Sequence, residues 1–342
     1  MPPTPEQPRQ SPPVDTALRP HEEDIEADPS DIDSAFSESD ISSLNTSLSS
    51  SVTDYVYENG RRYHRFREGQ YLFPNDETEQ DRLDMVHHIF RLMLRGSLIK
   101  APVPQSLQRI LDIGTGTGIW ALDVADEFPS ADVLAIDLSP IQPQWSAPNC
   151  HFVVDDVEDA WPYPESRLFD YVHQRNMVGS IADWDRIFQQ ALQHMKPGGF
   201  YEIQEFRVWF YSQEHDPPKD SSIEQWQRLL TEGTTRFGKS LNIVEKLADK
   251  MKDAGFVNVR EDVIKVPIGP WPKDPSLKTL GQWMQVHAVE SVEPLTLALF
   301  TRVLGWSEFE CRVLIAKVQK EFRERRQLYV YAHFIYGQKP TV

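Results

Sequence analysis

The chain of 342 residues is 40% apolar and 25% charged, an ordinary balance for a globular protein of one large or two small domains. Its formal net charge of −17 argues against nucleic-acid binding, because phosphate contacts need clustered Lys and Arg. No uncharged apolar run reaches the roughly 18 residues of a membrane span, so we expect no membrane association.

The negative charge is concentrated in residues 1–54, which hold twelve Asp or Glu, two Arg, eight Pro and eleven Ser. Such a segment buries too little apolar surface to offset its chain entropy, so we predict that it is disordered. It also lacks the basic and apolar parts of a secretory signal. Two cysteines, Cys150 and Cys311, make neither a disulfide framework nor a zinc cluster. We therefore expect a cytoplasmic or nuclear protein without a metal site.

Residues 55–100 are predicted to form a hairpin followed by a helix. Asn59 and Gly60 lie between two short aromatic-rich runs, which is the strongest short hairpin signal. The helix that follows has acidic residues in its first turn, and Asn75 is predicted to be its N-cap. We expect His87 at the surface of this helix.

From residue 107 onward, short apolar runs alternate with helical patterns. This alternation predicts a parallel sheet that is covered by helices on both faces. The runs predicted as strands are RILDIG (109–114), DVLAID (132–137), HFVVDD (151–156), FDYVHQ (169–174) and FYEIQEFRV (200–208). The last third is mixed, with a helix that ends at Gly255, a strand, a helix that begins with a capping box at Ser307, and a closing strand.

The first predicted strand leads into a turn with three glycines, Gly114, Gly116 and Gly118, and Asp112 lies two residues before the first of them. The dinucleotide-binding fingerprint has a glycine at the position where this chain has Ile119. The turn is not a P-loop either, because no Lys-Ser or Lys-Thr pair follows it. Like charges about 4 Å apart repel by roughly 4 kcal/mol at an effective dielectric near 20, and opposite charges attract by as much. Asp112 therefore disfavours a pyrophosphate and favours a ligand with an ammonium group, such as S-adenosylmethionine.

Two further acids fit this ligand. Asp137 ends the second strand, 19 residues past Gly118, a position from which a carboxylate accepts both ribose hydroxyls. Asp156 ends the third strand, where its side chain and the Val157 amide could contact the adenine edge. Taken singly, the glycines could form only a tight turn, Asp137 a helix cap and Asp156 a loop charge. The residues predicted to bind the cofactor are Asp112, Gly114, Thr115, Gly116, Gly118, Asp137, Leu138, Asp156, Val157 and Gln174.

The segment ILDIGTGTGIWALDVADEFPSADVLAIDLSPIQPQW, with FVVDDVEDAW, FDYVHQRNMVGSIADW and LQHMKPGGFYEIQEF after it, resembles the class I methyltransferases. Among these it is most similar to the LaeA-like group of fungal methyltransferases, and the resemblance runs from about Tyr55 to the C-terminus. It implies a Rossmann-like α/β fold with a seven-stranded, mostly parallel sheet whose last strand is antiparallel. It also implies methyl transfer from S-adenosylmethionine. The group includes enzymes of secondary-metabolite pathways and nuclear regulators that act with velvet-type partners.

By analogy with this fold, the segment before the core is expected to lie over the cofactor. Tyr63, Tyr71 and Asn75 are the candidates for such a lid, and simple packing of the hairpin is the alternative. The expected organisation is one methyltransferase domain (55–342), made of the hairpin and lid helix (55–100), the cofactor-binding core (107–208) and the acceptor-side helices and closing strands (209–342).

Methyl transfer needs few catalytic side chains. Holding the acceptor in line with the methyl group can supply roughly 7–11 kcal/mol of barrier reduction without a protein nucleophile. A general base adds about 10²–10⁴-fold, and only where the acceptor must lose a proton. The candidates for a base or an acceptor-orienting group are His173 at the end of the fourth strand, Glu205 near the end of the fifth and His287 on a predicted helix. A structural role is the alternative for each.

Three functions stay open on this basis. The first is an enzyme that methylates an oxygen or nitrogen atom of a small, apolar metabolite. The second is a LaeA-like regulator that binds a protein partner through its acidic tail. The third is a scaffold that binds the cofactor without transferring its methyl group.

Overall fold

The residues that the computed structural model describes are 25, 55–64, 69, 71–214 and 221–341. The predicted disordered tail, residues 1–54, therefore lies outside the described residues except for Ile25, whose backbone exchanges two hydrogen bonds with the Gln213 side chain. Across the described ranges, no helix is both long and apolar enough to cross a membrane.

The predicted hairpin is confirmed, and it forms a separate two-stranded sheet of β1 (Tyr55–Glu58) and β2 (Arg61–His64). Asn59 and Gly60 have φ of 51° and 78°, the left-handed pair that a tight hairpin turn requires. The side chain of Arg302 pairs with Glu58, and Arg312 Nη2 donates to the Asn59 carbonyl at 3.0 Å. These contacts hold the hairpin against residues near the C-terminal end of the chain.

A second sheet, with eight strands among the described residues, forms the centre of the fold. Its strands are β3 (Arg109–Ile113), β4 (Asp132–Asp137), β5 (Cys150–Val154), β6 (Phe169–Arg175), β7 (Met195–Phe206), β8 (Tyr211–Ser212), β9 (Val257–Ile268) and β10 (Leu328–Gln338). The order β5-β4-β3-β6-β7 is parallel throughout, and β10 lies antiparallel between β7 and β9. The predicted seven-stranded sheet with an antiparallel last strand is thus confirmed, and the two-residue β8 is an addition beside β10.

Helices cover both faces of this sheet. They are α1 (Glu77–Met93), α2 (Ile119–Glu127), α3 (Trp184–His194), α4 (Ser222–Phe237), α5 (Leu247–Ala254), α6 (Pro275–Arg302) and α7 (Glu308–Glu324), with 3-10 turns at Glu165–Arg167 and Val244–Lys246. Ile110 and Leu111 are neighbours on β3 but belong to two different apolar clusters. Successive strand residues point to opposite faces, so the sheet has one apolar core on each side.

The prediction that Asn75 is the N-cap of α1 is wrong, because Asp76 occupies that position. The Asp76 side chain accepts the Glu79 amide at 3.0 Å, which satisfies a free helix donor. Asn75 instead donates its amide to the Arg62 carbonyl at 2.8 Å and its side chain to Ser139 Oγ at 3.4 Å. Asn75 therefore ties the hairpin and the helix start to the loop after β4.

Helix α6 is much longer than the short helical stretch around His287 that the sequence indicated. It runs for 28 residues with Pro294 inside it, and it packs against α1, α4, α7 and β9. Because it is covered on several sides, its apolar residues form no single stripe. At Gly281 the backbone of α6 lies directly on the loop after β9, and the Gly269 amide donates to the Gly281 carbonyl at 2.8 Å.

We predict that Gly281→Ala destabilises the fold by about 1–3 kcal/mol, the usual cost of overpacking a core. A Cβ at this position would lie 2.1 Å from the Gly269 carbonyl oxygen, which is backbone and cannot move aside as a side chain would. The measurement is the free energy of unfolding in urea. Gln282→Ala, at the exposed neighbouring position, is the control and should change stability little. Equal stability of G281A and the parent would show that the two segments are not in contact.

Candidate functional site

A cavity of about 1020 Å³, counting space open to solvent, lies where β3, β4, β5 and β6 end. The carboxyl ends of parallel strands are where open α/β sheets bind ligands. The predicted cofactor residues that line this cavity are Asp112, Gly114, Thr115, Gly116, Asp137, Leu138, Asp156 and Val157. We call it the cofactor cavity.

Glycine is required at both ends of the turn, for different reasons. Gly114 has a φ of 68°, and a Cβ there would lie 2.1 Å from Met177 Sδ, so the turn packs closely against the chain after β6. Gly118 has a φ of 83° and precedes α2, and its Cβ would lie 2.6 Å from the Phe152 ring. Gly118 thus faces β5 and does not line the cofactor cavity.

Asp112 is buried beneath the glycine turn, with only 2% of its surface exposed. One carboxylate oxygen accepts from Thr115 Oγ1 at 2.6 Å, and the other lies 2.7 Å from His173 Nδ1. The His173 ring in turn stacks on Trp120, with centroids 3.7 Å apart. Both oxygens are therefore fixed, and each retains lone pairs. A negative charge placed here repels phosphate and attracts a cation.

Asp137 accepts a backbone hydrogen bond on each oxygen, from Gly116 N at 2.8 Å and from Ser139 N at 2.9 Å. These bonds link the end of β4 to the glycine turn and fix the direction of the carboxylate. The remaining lone pairs can accept two ribose hydroxyls. Burial, with a smaller contribution from the nearby charge of Asp112, raises the pKa of Asp137 to about 6.

Beyond β5 the chain makes a turn rich in acids. Asp155 Oδ1 accepts the Asp156 amide at 2.9 Å, and Asp156 Oδ1 accepts the Glu158 amide at 3.0 Å. Val157 is buried and gives the cavity an apolar wall at this point. An adenine ring needs such a wall together with a few polar groups at its edge.

Gln174 does not line the cofactor cavity, although it was among the predicted cofactor residues. Its side-chain oxygen accepts from the Tyr201 hydroxyl inside the apolar core. His173 and Gln174 are successive residues of β6, so their side chains point to opposite faces of the sheet. We therefore do not propose Gln174 as a cofactor ligand.

The three lid candidates take different positions. Tyr71 lines the cofactor cavity. Tyr63 is buried under the Arg302 guanidinium, 4.8 Å from its ring centroid, and lies away from the cavity. Asn75 contacts Ser139, two residues beyond Asp137, but does not line the cavity. Of the described residues in this part of the chain, Tyr71 and the α1 residues Leu83 and Val86 line the cavity, whereas the hairpin strands do not.

A second cavity of about 810 Å³, again counting open space, adjoins the first, and we call it the acceptor cavity. Both are lined by Tyr71, Leu83 and Asn176, so the two cavities meet there. Most of the acceptor cavity is apolar, with walls from the end of β7, the segment after it, and α6. Its apolar lining includes Phe73, Val178, Phe206, Val208, Phe210, Leu241, Met284, Ala288 and Leu295.

The polar residues that line the acceptor cavity include Asn176, Arg207 and Ser291, together with a cluster made of Glu79, Arg82 and His287. Arg82 Nε donates to Glu79 Oε2 at 2.9 Å, and Arg82 Nη1 lies 3.4 Å from His287 Nδ1. Glu79 is almost fully buried and neutralises the Arg82 charge. Glu79 and Arg82 were not predicted from the sequence, where their i, i+3 spacing on α1 was the only available signal.

Comparison with known proteins agrees with this geometry. Residues 66–261 match a family described as "Methyltransferase domain". The chain belongs to this methyltransferase family. The enzyme is of the S-adenosylmethionine-dependent type, and the cofactor cavity has the glycine turn and the carboxylates that this cofactor needs.

Three relatives cover most of the enzyme. Methyltransferase pytC of Aspergillus terreus is 43% identical over 304 residues, 88% of this chain and 93% of that protein. Secondary metabolism regulator LAE1 of Cochliobolus heterostrophus is 39% identical over 275 residues, 79% of this chain and 89% of that protein. Protein-methionine methyltransferase laeA of Emericella nidulans is 34% identical over 288 residues, 83% and 76% of the two chains.

The candidate catalytic residues fall in three different surroundings. His173 lines the cofactor cavity, pairs with Asp112 and does not line the acceptor cavity. Glu205 lines neither cavity and accepts the Met177 amide at 2.6 Å, which holds the loop after β6. Only His287 lines the acceptor cavity. Over the described ranges, no group of three or more His, Cys, Asp or Glu could hold a metal ion.

We predict that affinity for S-adenosylhomocysteine falls about tenfold between pH 7 and pH 5. Asp137 has a pKa of about 6, and in the predicted binding mode its ionised form accepts both ribose hydroxyls. Asp137→Asn should bind at least about tenfold more weakly at pH 7 and lose this pH dependence. Isothermal titration calorimetry measures both. Asp126→Asn, at an exposed position of α2, should keep the parent profile. A parent affinity that is flat from pH 5 to 7 would contradict the assignment.

Glu205 makes the free energy of unfolding fall as the pH rises. Burial raises its folded-state pKa from 4.5 to about 8, so the folded enzyme holds this proton more tightly than the unfolded chain. The resulting stabilisation is full below pH 4.5 and is lost as the pH rises through 8, by up to about 1.4 kcal/mol per pH unit.

Glu205→Gln should therefore flatten the dependence of the unfolding free energy on pH between about 5 and 8. The glutamine oxygen can still accept the Met177 amide, so the variant imitates the protonated acid. Urea unfolding at several pH values is the measurement, with Glu261→Gln, on a partly exposed acid of β9, as the comparison. If the E205Q slope matched that of the parent, a raised pKa of Glu205 would be excluded.

Proposed function

We propose that the enzyme transfers the methyl group of S-adenosylmethionine to an oxygen or nitrogen atom of a small, apolar metabolite of fungal secondary metabolism. The observation that carries this proposal is the junction of the two cavities at Tyr71, Leu83 and Asn176. A volume of about 810 Å³ falls within the usual range of small-molecule sites.

In this proposal the bound cofactor supplies a methyl group that its sulfonium already activates. Asp112 and Asp137 hold the amino-acid and ribose parts, and the apolar walls of the acceptor cavity hold the acceptor and exclude water. In-line positioning then supplies most of the rate, without a covalent intermediate on the protein. The acceptor atom forms its bond to the methyl carbon as the carbon–sulfur bond breaks, and a proton on that atom passes to water when the product leaves the cavity. Residues 107–208 provide most of the cofactor side, and they also contribute Val178, Phe206 and Val208 to the acceptor side, which α1 and residues 209–342 complete.

We infer that His287 orients the acceptor and does not take its proton. An arginine can only donate, so His287 Nδ1 must accept from Arg82. Burial, and to a lesser degree the Arg82 charge, lower the pKa of His287 well below its ordinary value. The ring is therefore neutral with its proton on Nε2, where it can donate to an oxygen of the acceptor. His173 and Glu205 are proposed as positioning residues, since neither lines the acceptor cavity.

The second candidate function is a LaeA-like regulator that methylates or binds a protein partner, in the nucleus. It is favoured by the names of two relatives, a secondary metabolism regulator and a protein-methionine methyltransferase. In that case residues 1–54 would be the docking arm for the partner, with velvet-type proteins as candidates. The metabolite enzyme, in contrast, would work in the cytoplasm.

The fate of a labelled methyl group distinguishes these functions. The purified full-length enzyme is incubated with methyl-tritiated S-adenosylmethionine and either an organic extract or a protein extract of a fungal culture that lacks the gene. We expect label in organic-soluble products. Label that appears only on protein would favour the regulator, and no transfer despite cofactor binding would favour a scaffold.

Filling the acceptor cavity should block this transfer and spare the cofactor. Ala288 is buried and lines the cavity, so Ala288→Phe is expected to reduce labelling of the organic fraction at least about tenfold through steric exclusion. Affinity for S-adenosylhomocysteine should change less than about twofold. Val286→Phe, on the exposed side of α6, is the matched control and should transfer label normally. Full transfer by A288F would place the acceptor elsewhere.

A further inference from the structure

The cofactor cavity is also lined by a cation, Arg175, the last residue of β6. Arg175 Nη2 donates to His87 Nδ1 at 3.1 Å, and its guanidinium lies 5.3 Å from the Phe90 ring centroid. Within the described ranges no carboxylate lies at ion-pair distance from it. Asp112, Asp123, Asp84 and Glu205 act on its charge only from farther away. Among the residues that the structure describes, Arg175 is thus partly buried without a direct counter-ion.

The immediate partner of Arg175 is a neutral group. Because arginine only donates, His87 Nδ1 accepts, and the single proton of the neutral ring lies on Nε2. His87 Nε2 is 3.0 Å from Asp123 Oδ2, to which it donates. Burial, with a contribution from the Arg175 charge, lowers the pKa of His87 to about 4. The chain Asp123–His87–Arg175 therefore directs the guanidinium without neutralising it. His87 was predicted at the helix surface, but it is buried for this reason.

Arg175 and Asp112 border the same end of the cavity. His173, two residues before Arg175, pairs with Asp112 in the strand register and through its side chain. Met177, two residues after Arg175, packs against Gly114 at the start of the glycine turn. A buried charge without a partner is costly, so a site that keeps one is suited to an anion. The amino-acid end of the cofactor carries both an ammonium and a carboxylate.

We propose that Arg175 binds the carboxylate of S-adenosylmethionine while Asp112 binds its ammonium, so that the two side chains together recognise a zwitterion. A planar guanidinium suits a carboxylate, because two parallel N–H groups can donate to its two oxygens. His87 is the positioning residue for Arg175, and Asp123 is the acceptor that sets the His87 tautomer.

The test compares two ligands by calorimetry. They are S-adenosylhomocysteine and S-adenosyl-3-thiopropylamine, which is the same molecule without its carboxylate. The parent enzyme should bind the first at least about tenfold more tightly, as expected for a charge-assisted hydrogen bond. Arg175→Gln should lose this preference by weakening only the first ligand, and Arg175→Lys should keep part of it. Arg91→Gln is the control. Arg91 also donates to Asp123 but does not line the cavity, so this variant should keep the full preference for S-adenosylhomocysteine.

The variants at His87 separate positioning from general damage. His87→Asn places an oxygen near the former Nδ1 and should retain most of the preference, whereas His87→Leu should lower it. Equal weakening of both ligands in R175Q, or an unchanged preference, would overturn the role of Arg175. If the parent enzyme bound neither ligand, the cofactor assignment itself would fail, and that outcome differs from the other two. Binding of the decarboxylated ligand by R175Q also shows that the variant is folded.

Discussion

The site depends on one buried carboxylate, Asp112, which Thr115 and His173 hold beneath the glycine turn. A negative charge at this position favours a ligand with an ammonium group over one with a phosphate. The hydrogen bond from Thr115 also shapes the turn, and the pair with His173 joins β3 to β6. A single interaction thus connects the backbone geometry of the turn to the chemistry of the cavity.

The two adjoining cavities, proposed for the cofactor and the methyl acceptor, are lined largely by different parts of the chain. The cofactor cavity is built mainly from the ends of the parallel strands, whereas α6 and the segment after β7 provide much of the acceptor cavity. Helix α1 borders both, since it supplies Leu83 to each, Val86 to the first and Arg82 to the second. A related enzyme could therefore change its acceptor by altering α6 while keeping its cofactor site.

Local sequence patterns, above all strand periodicity and turn motifs, predicted much of this fold. Strand periodicity and the glycine turn placed Asp112 and Asp137 at the ends of neighbouring parallel strands, where the structure has them. The same periodicity argues against Gln174, since it follows His173 on one strand and must point to the opposite face. Spacing alone could not show that Gly118 packs on Phe152, because that ring arrives from another strand.

Other features depend on contacts between distant segments, which a single sequence does not reveal. The burial of His87 follows from the approach of Asp123 and Arg175, which lie 36 and 88 residues away. The acceptor cavity likewise exists only where α1, α6 and the segment after β7 meet. The extent of α6 was also hidden, because a helix covered on several sides carries no clear apolar stripe.

The most direct measurement is a crystal structure of the enzyme with S-adenosylhomocysteine. We expect the amino group within hydrogen-bond distance of Asp112 and both ribose hydroxyls bound to Asp137. The sulfur should face the junction at Tyr71, Leu83 and Asn176. A ligand bound outside this cavity, or one whose ribose and amino group contact neither carboxylate, would contradict it.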